Sequence, residues 1–93
     1  MPLAFDYDSR KAANNLKKHR VSFPEAITVF DDPLSSTLPD DQPSFDEARW
    51  ITIGKSSRNR ILFVVYTETI SGIPLIGARA ASAAEIRQYE EVP

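Results

Sequence analysis

The chain has 93 residues, no cysteine, a single histidine and a formal net charge of −2, which excludes disulfides, thiolate metal centres and multi-histidine metal clusters, so neither metal nor cofactor is expected. A chain this short buries only about 60 to 65% of the surface its unfolded form exposes, so one domain of marginal stability is expected over residues 1–93. The longest unbroken apolar run, residues 61 to 66, is far below the roughly 20 residues of a membrane helix, and no basic start followed by an apolar stretch opens the chain. A cytoplasmic protein without membrane association is expected.

Asp8 and Ser9 are good N-cap types, and Ala12, Leu16 and His19 follow at helical spacing, which predicts a first helix over residues 9 to 19 burying that stripe. Lys11, Asn15 and Lys18 then share the opposite face. Ser22-Phe23-Pro24-Glu25 reads as a capping box in which hydroxyl and carboxylate each satisfy a first-turn amide. It opens a second helix whose apolar face is Phe23, Ala26, Ile27 and Phe30, stopped by Asp31-Asp32-Pro33.

From Leu34 the apolar period becomes two, predicting a short strand over 34 to 38. Residues 39 to 48 hold two prolines and four acids and read as a surface loop. A second strand spans 49 to 55 and the polar stretch from Lys55 to Arg60 makes a hairpin turn. A third strand, 61 to 68, is apolar on both faces and so central in its sheet. The fourth, 73 to 79, contains Pro74, which cannot donate to a ladder and therefore belongs at a sheet edge. Ser82-Ala83-Ala84-Glu85 repeats the capping box and opens a last helix carrying Ile86 and Tyr89, ending near Val92-Pro93. The expected fold is α+β: two N-terminal helices, a four-stranded antiparallel sheet and a C-terminal helix, with the helices on one sheet face.

Charge is sorted along the chain. Residues 1–30 carry five basic and three acidic side chains, 31–48 six acidic and none basic, and 49–80 five basic and one acidic. A positive working face beside an acidic loop follows, and a polyanion responds to local potential more than to the total.

Phe5-Asp6-Tyr7-Asp8, then Asn15-x-x-Lys18-His19-x-Val21-x-Phe23, then Val29-Phe30-Asp31-Asp32-Pro33 stand in the order seen in BrnT toxins, which the chain resembles. Glu47-x-Arg49-x-x-x-Ile53-Gly54, Leu62-Phe63-Val64-Val65, and Ala78-Arg79-x-Ala81 followed by Glu85 and Tyr89 extend the likeness over nearly the whole chain. The resemblance implies a RelE-like ribonuclease fold, cleavage of cellular RNA when free, and neutralisation by a BrnA-like ribbon-helix-helix antitoxin through which operator DNA is reached. Three positions depart from the pattern: Arg20 stands where glycine is usual, Pro74 where arginine is usual and Gly77 where serine is usual. The last two flank Arg79 and leave open an alternative, a catalytically weakened co-repressor that grips an antitoxin. A nucleic-acid binder without catalysis is disfavoured by the net negative charge and the lack of a helix-turn-helix or zinc motif.

Metal-independent RNA cleavage needs the 2′-hydroxyl deprotonated, the leaving 5′-oxygen protonated and the extra phosphate charge met by fixed cations. Arg49 and Arg79 are the candidates to grip one phosphate through forked donors, or they pair with Glu47, Glu68 or Glu85 as structural salt bridges. Glu47 acts as general base or orients Arg49, the latter preferred. His19, the only side chain that ordinarily titrates near neutrality, is the acid/base candidate, against a capping and packing role at the helix end. Lys11 and Lys18 are candidates for RNA phosphate, and Lys55, Arg58 and Arg60 for guiding RNA to the site. Trp50, Phe45 and Tyr66 either stack on a splayed base or belong to the core.

Overall fold

The computed structural model describes residues 4–40 and 48–91. In chain order the elements are β1 (Phe5–Asp6), α1 (Ser9–His19), α2 (Phe23–Ile27), a 3-10 turn (Thr28–Asp31), β2 (Ser36–Asp40), β3 (Arg49–Lys55), β4 (Ile61–Tyr66), β5 (Ile73–Ala80) and α3 (Ala83–Glu90). The sheet has five strands in the order β1-β5-β4-β3-β2, and β1 runs parallel to β5 while every other pair is antiparallel. The expected four-stranded antiparallel sheet is thus corrected to a mixed one. Its extra strand is two residues long, too short to show a period of two in sequence.

Local chemistry sets most boundaries. Asp8 caps α1 by accepting from the amides of Arg10 and Lys11, and Lys17, Lys18 and His19 stand in its last turn, where cations complement the helix dipole. The helix ends at Arg20 in the left-handed region (φ 60°, ψ 29°), its amide donating to the Leu16 carbonyl. That conformation explains why glycine suits this position better. Ser22 caps α2 as expected, but the Glu25 carboxylate does not close a capping box; it turns inward to Arg60 and Ser56. α2 is also shorter than expected. The Thr28 hydroxyl donates to the Glu25 carbonyl and accepts from the Ser57 amide, which tightens the chain into a 3-10 turn. Gly54 lets that turn approach β3, because a Cβ there would lie 2.9 Å from the Ser35 Cβ and 3.1 Å from the Val29 carbonyl oxygen. The second capping box, Ser82 with Glu85, is closed at both ends.

The register sorts the strands into two faces. Trp50, Tyr66 and Leu75 align across the sheet, as do Thr52, Val64 and Ala78, and this inner face packs on Val21, Phe23, Ala26 and Val29 to form the core. Phe23, Leu62, Val64 and Val29 are fully buried. Removing a ring such as Phe23 would cost ~3–5 kcal/mol, much of a small domain's stability. The outer face carries Ile51, Val65 and Gly77 in one row and Ile53, Phe63 and Arg79 in the next. α3 is tied to this second face: Glu85 pairs with Arg79, and Tyr89 donates to Asp32, which also accepts from the Lys55 amide. The helices therefore lie on both faces, not one, because α3 follows an outward-facing stretch of β5.

Two strand expectations shift. β2 begins two residues later than expected, after Asp32 has capped the turn through the Leu34 amide, and β4 ends at Tyr66 where a register shift with β5 breaks the ladder. β4 is central, as its two apolar faces predict. β5 is not an edge at Pro74, because β1 lies against it. Proline is tolerated there because the β4–β5 register ends at the Tyr66 and Leu75 pair, so the missing donor falls just beyond the ladder. Among the described residues no helix is long and apolar enough to cross a membrane.

Of the side of α1 set opposite the apolar stripe only Asn15 turns inward, beside Ala12, while Lys11 and Lys18 stay exposed. Leu16 is 48% exposed and His19 is exposed, whereas Asn15 is buried. Asn15 Nδ2 donates to the carbonyls of Val21 and Ala78, both at 2.9 Å, and its Oδ1 accepts from the Ala78 amide at 3.1 Å. Beyond the reach of β1, this one side chain pairs with the β5 backbone as a neighbouring strand would, covering an edge that would otherwise expose its polar groups. Asn15→Ala leaves those buried groups unpaired and is expected to cost ~2–4 kcal/mol, lowering Tm by more than about 10 °C; a loss under about 4 °C would contradict this role. Arg20→Gly is expected to act oppositely, stabilising by ~0.5–1 kcal/mol in urea unfolding, since it relieves a left-handed arginine.

Candidate functional site

Asn15 holds α1 against β5, and a groove opens along the seam. One end is lined by Lys11, Asn14, Asn15, Lys18, His19, Ile76 and Gly77. The other continues through Asn15, His19 and Gly77 to Phe63, Val65 and Arg79 on the outer face. Gly77 is the saddle between the two halves. A Cβ there would meet only Asn15 Oδ1, at 3.7 Å, so the glycine leaves open space that a small side chain would enter without clash. Four predicted site residues, Lys11, Lys18, His19 and Arg79, thereby share one groove whose lining is cationic, amide and apolar, with no carboxylate among the described residues.

Arg79 is the most closely held of them. Its guanidinium lies 3.9 Å over the Phe63 ring. Nη1 and Nη2 donate to Glu85 Oε1 and Oε2 at 2.8 and 3.0 Å, and Nη1 also donates to the Ala80 carbonyl at 3.2 Å. The Ser82 amide donates to the same carboxylate. Of the salt-bridge partners left open by the sequence, Glu85 is the one found for Arg79 among the described residues. The Arg79 guanidinium, helped by the Ser82 amide and opposed by burial, holds the Glu85 carboxyl down at about 2.

The other candidates lie elsewhere. Arg49 shares the outer face with Arg79, but four residues of strand (~3.3 Å each) and two strand spacings (~4.8 Å each) put their Cα atoms about 16 Å apart. Arg49 is not among the residues that line either half of the groove. Glu47 and Phe45 fall outside the described residues. Arg60, expected in an RNA-guiding cluster, is committed to the fold: its Nε and Nη2 grip Glu25 at 3.0 and 2.5 Å and Nη2 reaches the Arg20 carbonyl. This cation, with Ser56, lowers the Glu25 carboxyl from its usual range despite burial. Lys55 and Arg58 are exposed, and Lys55 lines a depression with Asp31 and Asp32, a setting for cations more than for phosphate. Tyr66 is buried with its hydroxyl on Thr52, and Trp50 packs on the core, so neither is an exposed stacking platform.

His19 stands in the groove instead of packing with Leu16, because α1 is rotated to bury Asn15. Pro74 lies at the far end of β5, outside the groove lining, so only Gly77 of the two departures touches the site. Sequence reasoning missed Phe63 and the structural role of Asn15. The hairpin register, which pairs Phe63 with Arg79, was the available signal for the first.

A carboxylate held near 2 in the folded state and near 4.5 when unfolded contributes stability that is complete above about pH 5 and lost as pH falls toward 2. Glu85→Gln is therefore expected to lower Tm at pH 7 and to match wild type near pH 2; a difference of the same size at both pH values would refute the assignment.

The family described as "Ribonuclease toxin, BrnT, of type II toxin-antitoxin system" matches residues 7–85. The crystal structure of the Brucella abortus ribonuclease toxin BrnT aligns with a TM-score of 0.67 and 20% identity, over 87% of this chain and 99% of that one. At that identity the structural likeness speaks for the fold. The search of curated proteins returns no match. With the family pattern spanning most of the chain, from the approach to α1 through Glu85 of α3, this protein belongs to the BrnT family of ribonuclease toxins of type II toxin–antitoxin systems, and an antitoxin is its implied partner.

Proposed function

We propose that this chain is a metal-independent, RelE-like endoribonuclease that cleaves cellular RNA when free and is silenced by a BrnA-like ribbon-helix-helix antitoxin, which alone contacts operator DNA. The observation that carries this reading is the convergence of Lys11, Lys18, His19 and Arg79 on one groove at the β5 edge. The chemistry needs a group that exchanges a proton and cations that meet developing phosphate charge, and these residue types supply both. In the proposed reaction His19 is the catalytic acid/base, taking the proton of the 2′-hydroxyl or returning one to the leaving 5′-oxygen. Arg79 grips the scissile phosphate, and Lys11 and Lys18 draw the RNA backbone in. Arg49, on the same sheet face but remote from the groove, serves a neighbouring phosphate of the same strand, with Glu47 orienting it. Lys55 and Arg58 contribute approach electrostatics, and Arg60 is reassigned to the fold.

A second reading, an antitoxin-binding co-repressor with weakened catalysis, is favoured by Gly77, which puts no hydroxyl at the saddle of the groove. Tightly controlled expression separates the two. Wild type is expected to arrest growth and to yield new RNA 5′ ends by primer extension, and Arg79→Ala to relieve both by at least about 100-fold in cleavage. If wild type is harmless and leaves RNA intact, the ribonuclease reading fails and the co-repressor reading replaces it.

A further inference from the structure

Arg79 has five N–H donors on a rigid plane, and their allocation is asymmetric. Glu85 takes the end of the fork, Nη1 and Nη2, and Ala80 takes a second contact on Nη1. The side edge, Nε together with the remaining proton of Nη2, has no acceptor among the described residues. One flat face of the same plane is stacked on Phe63. The carboxylate that holds the guanidinium is itself fixed, because Glu85 closes the Ser82 capping box at the start of α3. Arg79 is thus clamped from one end and one face, with a two-donor edge left over on a residue that lines the groove.

We propose that Glu85 is a positioning residue that aims the Nε/Nη2 edge of Arg79 at a single phosphodiester of single-stranded RNA, and that substrate binds beside the Glu85 pair instead of displacing it. The inference rests on the ribonuclease reading for the identity of the ligand. It differs from a mere salt bridge in assigning the two edges of one guanidinium to two partners at once. Side-edge gripping of an oxyanion is sterically available to this chain's arginines: Arg60 uses its Nε and Nη2 in that way on the carboxylate of Glu25. A free arginine side chain would have to be immobilised when phosphate arrives, and Glu85 removes that entropic cost in advance.

The test uses the full chain and a short 2′-O-methyl RNA oligonucleotide, which binds without being cleaved, with affinity measured by calorimetry and the Arg79 Nε–H resonance followed by NMR. The oligonucleotide is expected to shift the Nε–H signal of wild type. Glu85→Gln, shown folded by its melting transition, is expected to weaken binding roughly two- to tenfold. In an Arg79→Lys background the same change is expected to add almost nothing, because the fork it aims is gone. Tighter binding by Glu85→Gln would mean that Glu85 occupies the phosphate's place, and would overturn the proposal. So would unaltered binding, additivity with Arg79→Lys, an unmoved Nε–H signal, or no binding by wild type. Binding with these features but no cleavage of the unmodified RNA would instead sink the ribonuclease reading and leave the phosphate-aiming role standing.

Discussion

The placement of the groove depends on one buried amide. Asn15 spends every hydrogen-bonding direction it offers the fold on backbone: two carbonyls through Nδ2, and the Ala78 amide through Oδ1. A helix has no lateral hydrogen-bonding groups to give a sheet edge, so a side chain must supply them. By doing so at Ala78, next to Arg79 in sequence, Asn15 fixes α1 at a set height along β5. Lys18 and His19, three and four residues further along the helix, are then carried to the groove. Because the same amide grips Val21, the loop leaving α1 is also held, and Phe23 enters the core directly behind it.

The two sheet faces divide the labour of the molecule. The inner face is mostly hydrocarbon, with the buried Thr52 hydroxyl satisfied by Thr37 and Tyr66, and is backed by α1, α2 and the 3-10 turn, so stability resides there. The outer face is interrupted: Ile51 and Ile53 are buried, but Phe63 and Val65 are only half covered, and Gly77 contributes no side chain at all. Half-covered apolar surface next to an arginine suits a ligand with a flat apolar part and an anionic part, as an unpaired nucleotide has. A net charge of −2 does not weigh against this, since the acidic excess sits largely in residues 31–48 and the groove is built from the basic segments on either side.

Much of the fold was legible in the sequence because its signals are local. The first helix runs between the ends that Asp8 and the left-handed Arg20 set, and β3 spans Arg49–Lys55 as expected. The Ser82 box marks α3 without error, since both of its partners lie within one turn. What failed was non-local. The rotation of α1 could not be read from hydropathy, because Ala12, Leu16 and His19 make a more apolar stripe than the one containing Asn15, and the amide wins through Val21 and through Ala78, the latter sixty-three residues away. β1 escaped because two residues carry no period, and its partner Pro74 argued for an edge. For the candidate site, Arg79 and His19 could be nominated by chemistry alone, whereas Phe63 needed the β4–β5 register and the fate of Arg60 needed the position of Glu25.

Arg60 and Arg79 show why residue type alone does not assign a function. Both are partly exposed arginines facing one carboxylate through two nitrogens. Arg60 turns its Nε edge onto Glu25 and spends an Nη2 proton on the Arg20 carbonyl, so its most directional donors are consumed in tying the β3–β4 hairpin to the end of α1. Arg79 gives Glu85 the end of its fork and rests on an aromatic ring, which fixes the plane while leaving Nε without an acceptor among the described residues. The same ion-pair chemistry uses up the side edge of one guanidinium in the architecture and leaves that of the other without an acceptor among the described residues. The difference is which edge the carboxylate meets, since both come from the first turn of a serine-capped helix: Glu25 from α2, where it also holds Ser56 of the hairpin, and Glu85 from α3, beyond the end of β5.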